Sequence, residues 1–155
     1  MKIPKIYIDT SVIGGCFDKE FAPWSNGLVK DIRLGHFECV VSEIVSAEII
    51  DAPQVVKEKY KEILSFGSDE LLLSEEVEGL LNAYRKHHIL ADKFRNDMLH
   101  IAFATSAKID ILVSWNFKHI VRFDKIRQFN AVNIEQGYQP IAIHSPREVT
   151  NYAEY

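Results

Sequence analysis

Apolar and polar positions alternate in a way that predicts strands and helices following one another along the chain. Lys5–Thr10 is a short run of β-branched and aromatic residues that stops before Gly14 and Gly15, as a buried strand entering a loop does. Asn26–Gly35 carries its apolar side chains at helical spacing and is closed by a glycine. Phe37–Val41 is then predicted to be the second strand.

The rest of the chain continues this alternation. Helices are predicted from Ser42 to Pro53, over Gln54–Leu64, from Ser74 to about His88, over Lys93–Ala107 and over most of Phe117–Gln136, and strands at Leu71–Leu73, Ile109–Trp115 and Pro140–His144. Right-handed crossovers between parallel strands place helices over both faces of a sheet. We therefore predict an α/β fold, a three-layer α/β/α sandwich with a mainly parallel central sheet. No repeat or Pro/Gly/Ser-rich linker interrupts it, so residues 1–155 are expected to form a single domain.

Composition and charge narrow the class of protein. The 155 residues carry a formal net charge of −4, so no general positive field attracts nucleic acid, and any such contact must be local. No apolar stretch approaches the roughly 20 residues that cross a bilayer, and the N-terminal segment lacks the apolar core of a signal peptide. Cys16 and Cys39 show no metal-ligand spacing. The sequence thus predicts a cytoplasmic protein without membrane contact.

Polar residues at the ends of the predicted strands are the first candidates for a site, because open parallel sheets bind ligands at the carboxyl ends of their strands. Asp9 ends the first strand, and its carboxylate, next to an apolar core, needs a cation or hydrogen-bond donors. Alternatively, Asp9 only caps the turn at Thr10 and Ser11. Ser114 and Asn116 end the 109–115 strand with side chains on one face, or form a turn that bonds its own backbone.

Two further acids lie on predicted helices. Glu48 is either a functional acid or a solvated helix-surface residue. Asp97 heads a stripe with Ile101 and Ala104 that is otherwise apolar, although an acid in a first helical turn can simply complement the helix dipole. Asp92 lies five positions earlier and is rotated about 140° from Asp97. We therefore assign Asp92 to helix capping and Asp97 to the site.

Four segments in this order carry a resemblance to a known family: YIDTSVIG at 7–14, SAEI at 46–49, D-x-x-x-I-A-x-A at 97–104 and LVSWNFKHI at 112–120. The chain resembles the PIN-domain ribonucleases over nearly its whole length, especially the VapC-like toxins of type II toxin–antitoxin pairs. The resemblance implies a PIN-like fold and a metal-dependent endoribonuclease, a hydrolase of RNA phosphodiester bonds. It also implies a toxin held inactive by a protein antitoxin, and it suggests a homodimer.

The same resemblance implies the site residues. The first three acids of the family match Asp9, Glu48 and Asp97, which would hold Mg²⁺ or Mn²⁺, and its Ser/Thr position matches Ser114. The fourth acid falls on Asn116, whose amide oxygen can bind a hard cation but brings no charge. Ser114 and Asn116 would then act as positioning groups beside the ion. Because of Asn116, a catalytically weak or inactive RNA-binding or protein-interaction module is the alternative function.

Histidines and cations near these residues add further candidates. His100 and His119 lie three positions after Asp97 and Asn116, where they either contact substrate or pack in the structure. Two sets of cations are candidates for RNA phosphate contacts or for a solvated surface: Lys118, Arg122, Lys125 and Arg127, and Arg85, Lys86, Lys93 and Arg95. No phosphate-binding glycine loop is present, and Ser11 stands where a haloacid-dehalogenase-like phosphatase needs a second Asp.

Overall fold

The computed structural model describes residues 2–151, and five strands within that range form one sheet. In chain order the strands are β1 (Lys5–Ile8), β2 (Glu38–Ser42), β3 (Asp69–Leu71), β4 (Ile111–Val113) and β5 (Ala142–His144). Their spatial order is β3-β2-β1-β4-β5, and every neighbouring pair is parallel. Tyr7 pairs with Val40 on one side and with Leu112 on the other. The predicted α/β fold with a parallel sheet is confirmed.

Helices occupy the connections between the strands. They are α1 (Thr10–Gly15), α2 (Ala22–Arg33), α3 (Glu43–Ile49), α4 (Gln54–Ser65), α5 (Glu75–Lys86), α6 (Arg95–Ser106), α7 (Phe123–Glu135) and α8 (Pro146–Val149). Helices α1 to α4 contact one another, whereas α5 contacts α6 and α7. The connections from β1 to β2 and from β2 to β3 run towards one edge of the sheet, whereas those from β3 to β4 and from β4 to β5 run towards the other edge. Right-handed crossovers therefore place α1 to α4 over one face of the sheet and α5 to α7 over the other. None of the helices within residues 2–151 is long and apolar enough to cross a membrane.

The core lies around β1 and α6. Ile6, Tyr7 and Ile8 of the central strand have no exposed surface, as expected for a strand covered by helices on both faces. Helix α6 is buried on nearly all sides from Met98 to Thr105, so it is a central helix rather than an amphipathic one. The first turn of this buried helix contains Asp97.

Both strands that lead into the candidate site end earlier than the sequence pattern predicts. The first stops at Ile8, and α1 continues through Gly14 and Gly15, which were predicted to be a loop. Asp9 is the N-cap of this helix, and its side chain accepts a hydrogen bond from the Val12 amide, which stabilises the first turn. Asp9 therefore caps the turn at Thr10 and Ser11, and this cap is compatible with a role of the same carboxylate in a site.

The second of these strands, β4, covers only residues 111–113, so the prediction that Ser114 and Asn116 share one face of a strand is wrong. They lie in the loop that follows. Ile120 and Val121 donate their backbone N–H groups to the Asn116 carbonyl (3.1 and 2.8 Å), which folds the loop back on itself. The predicted 117–136 helix therefore begins only at Phe123.

The starts of α5 and α6 differ in their caps. The helix predicted from Ser74 begins at Glu75, and Ser74 caps it by accepting from the Val77 amide. Asp92 does not cap α6, because it lies in a separate short 3₁₀ turn and accepts instead from Arg85 Nε at 3.0 Å. The prediction for Asp92 is wrong because the Arg85 partner comes from α5, which local sequence cannot show.

Candidate functional site

The candidate site lies where the strand order of the sheet reverses. Strands β1 and β4 are neighbours there, although more than a hundred residues separate them in the chain. Asp9 follows the carboxyl end of β1, and Ser114 follows that of β4. In open parallel sheets such a reversal leaves a crevice outside the strand ends, which is the usual place for a ligand.

Asp9 is a buried carboxylate held by neutral donors. Its Oδ1 accepts from Ser11 Oγ (2.6 Å) and from the Val12 amide (3.3 Å), and its Oδ2 accepts from Ser114 Oγ (2.6 Å). Burial raises the pKa of Asp9, while nearby His100 and the two serine hydroxyls oppose that rise. The side chain is 4% exposed, and the ion pairs formed within residues 2–151 do not include it. Its negative charge is thus only partly compensated.

Glu48 is not a solvated surface acid. Its Oε1 accepts from Thr10 Oγ1 at 2.8 Å and lies 2.8 Å from His100 Nε2. Burial alone would raise the pKa of Glu48, but the hydrogen bonds and charge of His100 and the bond from Thr10 outweigh it, so that the pKa lies below its ordinary value. The side chain is held close to the residue that follows Asp9 in the chain, and it stays ionised at neutral pH.

His100 links Glu48 to a buried chain of hydroxyl groups. His100 Nδ1 lies 2.6 Å from the Tyr7 hydroxyl, which in turn lies 2.6 Å from Ser42 Oγ. The ring donates from Nε2 to Glu48, and the hydroxyl groups of Tyr7 and Ser42 can each donate and accept, so every member of the chain has a partner. Burial raises the pKa of Tyr7 well above its ordinary value, so the phenol remains a neutral donor.

Asp97 and Asn116 are joined through His119. His119 Nδ1 lies 2.9 Å from Asp97 Oδ2, and the His119 backbone N–H donates to Asn116 Oδ1 at 2.9 Å. The Phe94 ring packs on the imidazole with 3.9 Å between ring centroids. The Asn116 backbone N–H donates to Ser114 Oγ at 2.9 Å. The turn alternative for Ser114 and Asn116 is therefore realised, and it ties the loop to Asp97.

The five predicted site residues thus belong to two hydrogen-bonded groups at the same edge of the sheet. One group runs from Asp9 through Ser114, Asn116 and His119 to Asp97. The other is built around Glu48 and includes Thr10, which directly follows Asp9 in the chain. Sequence reasoning missed several supporting side chains: Tyr7, Thr10, Ser11 and Ser42. The D-T-S triplet at 9–11 was a usable signal for two of them, whereas Tyr7 is indistinguishable from a core residue in sequence.

The chemistry of these donors fits a hard divalent cation, which prefers carboxylate, hydroxyl and amide oxygens. Within residues 2–151, however, no three His, Cys, Asp or Glu side chains lie close enough together to hold a metal ion. His100 and His119 each occupy a carboxylate oxygen of Glu48 and Asp97. The ligand roles of Asp9, Glu48 and Asp97, and the identity of the ion as Mg²⁺ or Mn²⁺, therefore stay predictions.

Comparison with known proteins identifies fold relatives only. No protein-family model and no curated protein sequence matches the chain significantly. Among solved structures, it is similar to a chain of VapBC2 from Rickettsia felis, crystallised with a DNA fragment from the promoter, at 15% identity and a TM-score of 0.58 over 91% of this chain and 98% of that one. It is also similar to a chain of FitAcB from Neisseria gonorrhoeae, at 16% identity and a TM-score of 0.58 over 93% and 99% of the two chains.

These findings correct the family assignment made from sequence. The chain was predicted to be a PIN-domain ribonuclease of the VapC-like toxin type, yet no family model matches it. Its structural neighbours are antitoxin-containing complexes, and they do not identify this chain as a toxin. At 15 and 16% identity the similarity shows a common α/β fold and carries no activity with it. What the comparisons establish is a fold shared with chains of toxin–antitoxin complexes.

Proposed function

We propose that this protein hydrolyses RNA phosphodiester bonds with the help of Mg²⁺ or Mn²⁺, and that it works in a toxin–antitoxin complex with a partner protein. One observation carries the proposal: Asp9 is a buried carboxylate at the reversal of strand order, held by two serine hydroxyls and one amide. A buried carboxylate that forms no ion pair destabilises a protein unless a ligand compensates its charge. A divalent cation bound by the site supplies that compensation.

Asp9 and Asp97 would be the main ligands of the ion, with Glu48 as a further ligand or as an acceptor for a bound water. When bound, such a cation neutralises charge on the phosphodiester and lowers the pKa of a water molecule. Ser11 and Ser114 fix the orientation of the Asp9 carboxylate. His119 fixes that of Asp97 through Oδ2. Ser114 and Asn116 hold the loop that closes this edge of the site.

The partner protein is proposed from the fold. VapBC2 and FitAcB are toxin–antitoxin complexes, and the similarity to their chains covers more than nine tenths of this chain. We expect the product of an adjacent open reading frame to copurify with this protein and to change its activity on RNA. The homodimer suggested by the family resemblance stays a prediction, which sedimentation of the purified protein would test.

Metal binding is the direct test of the proposal. Titration of the purified protein with Mn²⁺ in a calorimeter is expected to show binding that Asp9→Asn and Asp97→Asn each weaken by more than about 10-fold, because each variant removes a ligand charge. The exposed Asp51 provides the control, and Asp51→Asn should bind Mn²⁺ like the wild type. Equal affinity in all four proteins would contradict the proposed ligand set.

Asn116→Asp is expected to tighten Mn²⁺ binding by roughly 10-fold, because it places a further carboxylate on the loop that His119 connects to Asp97. The substituted side chain keeps an oxygen that accepts from the His119 backbone, so the loop should retain its fold. Gln128→Glu adds the same charge at an exposed position of α7 and serves as the control. An unchanged affinity for Asn116→Asp would show that residue 116 does not face the cation.

A further inference from the structure

Phe123 is an aromatic side chain left in solvent at the start of α7. It is 76% exposed, more than any other large apolar side chain in the described part of the chain. Burial of a phenylalanine ordinarily stabilises a protein, and this position forgoes that stabilisation. One helical turn later, the Arg127 guanidinium carbon lies 5.6 Å from the centroid of the Phe123 ring. The two side chains thus form a paired aromatic and cationic surface.

The chain segment that carries this pair is positively charged, although the protein as a whole carries a net charge of −4. Residues 117–128 contain four cations and one acid: Lys118, Arg122, Lys125, Arg127 and Asp124. Arg122 Nε is held by Asp124 at 2.7 Å, and Lys125 Nζ donates to the Ile89 carbonyl at 2.7 Å. Lys118 and Arg127 are exposed. The segment is therefore complementary to a polyanion.

This surface continues the loop that builds the candidate site. Asn116 and His119 of that loop bond each other and Asp97, and Phe123 follows His119 by four residues. Phe123 follows Asn116 by seven residues, so the two Cα atoms lie at most about 25 Å apart. The hydrogen bonds from Ile120 and Val121 to the Asn116 carbonyl shorten that distance. A strand bound at the site can therefore reach Phe123.

We propose that Phe123 and Arg127 form a stacking platform for an unpaired base of single-stranded RNA, with Lys118 and Arg122 along its phosphates. Bases of a single strand stack on aromatic rings and on arginine planes, whereas bases within a duplex are not available for this contact. The inference rests on the proposed function in taking RNA as the ligand. It adds a preference for single strands and a second point of attachment outside the acidic site.

The test is binding of a fluorescently labelled, mixed-sequence, single-stranded RNA 12-mer, followed by anisotropy in EDTA so that no cleavage occurs. Phe123→Ala is expected to weaken binding at least about fivefold, which corresponds to the loss of one stacked base, and Phe123→Trp should restore it. Arg127→Gln should lower the slope of log affinity against log salt by roughly 0.7. The same RNA in a duplex should bind more weakly and should not respond to Phe123→Ala.

Ile134→Ala is the matched control, because Ile134 is an exposed apolar side chain on the same helix, and it should leave RNA affinity unchanged. Wild-type affinity in a folded Phe123→Ala variant would overturn the platform. So would an equal loss of duplex and single-strand binding, or a loss of protein-partner binding with RNA affinity intact. Since these measurements need no hydrolysis, a protein that binds single strands through Phe123 but never cleaves them would support the platform and contradict the proposed function.

Discussion

Asp9→Asn is expected to lower RNA cleavage by more than about 100-fold, since loss of groups that merely support metal ligands already costs 10- to 100-fold. The substitution keeps the size of the side chain and removes the charge that the proposed cation needs. The Ser11 and Ser114 hydroxyls, which donate to the carboxylate at 2.6 Å each, can reorient around an amide. The variant should therefore fold, and its cleavage rate, measured beside that of Asp51→Asn, reports on function alone.

The same variant is expected to be more stable than the wild type in metal-free buffer near neutral pH. Burial raises the pKa of Asp9, so between its ordinary and its folded pKa the native state holds a proton that the unfolded chain releases. Wild-type stability therefore falls as pH rises through that window and stays reduced above it. The Asp9→Asn variant has no titrating carboxyl group at this position, so it does not lose stability in this way.

Urea unfolding in EDTA at several pH values measures this difference. The free energy of unfolding of Asp9→Asn minus that of the wild type should increase with pH across the window and then level off. A difference independent of pH, or a variant less stable than the wild type at neutral pH, would show that the Asp9 charge is already compensated without a cation. Greater stability combined with lost activity is the pattern expected of a functional site.

Gly15→Ala is expected to lower the free energy of unfolding by about 3 kcal/mol, at the upper end of the cost of overpacking a core. A Cβ at Gly15 would lie 2.5 Å from Ser25 Oγ and 2.6 Å from Trp115 Nε1. Those two atoms are themselves hydrogen-bonded at 2.8 Å, and Ser25 Oγ also donates to the Val12 carbonyl at 2.8 Å. The added methyl group must break this buried arrangement.

The effect should also reach the site, because the Trp115 amide donates to Ser11 Oγ at 2.8 Å and Ser11 holds Asp9. Gly14→Ala in the same helix is the control. A Cβ there meets nothing within 4 Å, so the variant should be unchanged or stabilised by up to about 1 kcal/mol. Thermal unfolding compares the melting temperatures of Gly15→Ala and Gly14→Ala, and that of Gly15→Ala should be clearly lower. Similar melting temperatures would contradict the packing described around Trp115.

Hydrophobic periodicity was sufficient to predict the alternation of strands and helices and the parallel sheet. The strand ends were less predictable, because they are set by individual polar contacts. The Asp9 carboxylate begins α1 at Thr10 by bonding the Val12 amide, and the Asn116 carbonyl holds the loop that delays α7 until Phe123. No local apolar pattern records such bonds.

The candidate site was predictable in its acids but not in their partners. Asp9 could be chosen because it ends an apolar strand. The partnership of Glu48 with His100 spans 52 residues, and that of Asp97 with His119 spans 22. The packing of α6 against α3 brings His100 to Glu48, and the position of the 114–122 loop beside α6 brings His119 to Asp97. Their spacing in the sequence left substrate contact and packing open as roles, and the structure places both histidines against carboxylates.

Cleavage of a mixed RNA substrate by the purified protein, freed of any partner, tests the central claim most directly. Reactions with Mg²⁺, Mn²⁺ or EDTA are run beside Asp9→Asn, Asp97→Asn and Asp51→Asn. We expect cleavage that requires the cation, is lost in both site variants and persists in Asp51→Asn. Folded wild-type protein that binds RNA without cutting it, or cutting that survives EDTA or both site variants, would contradict metal-dependent hydrolysis at Asp9 and Asp97.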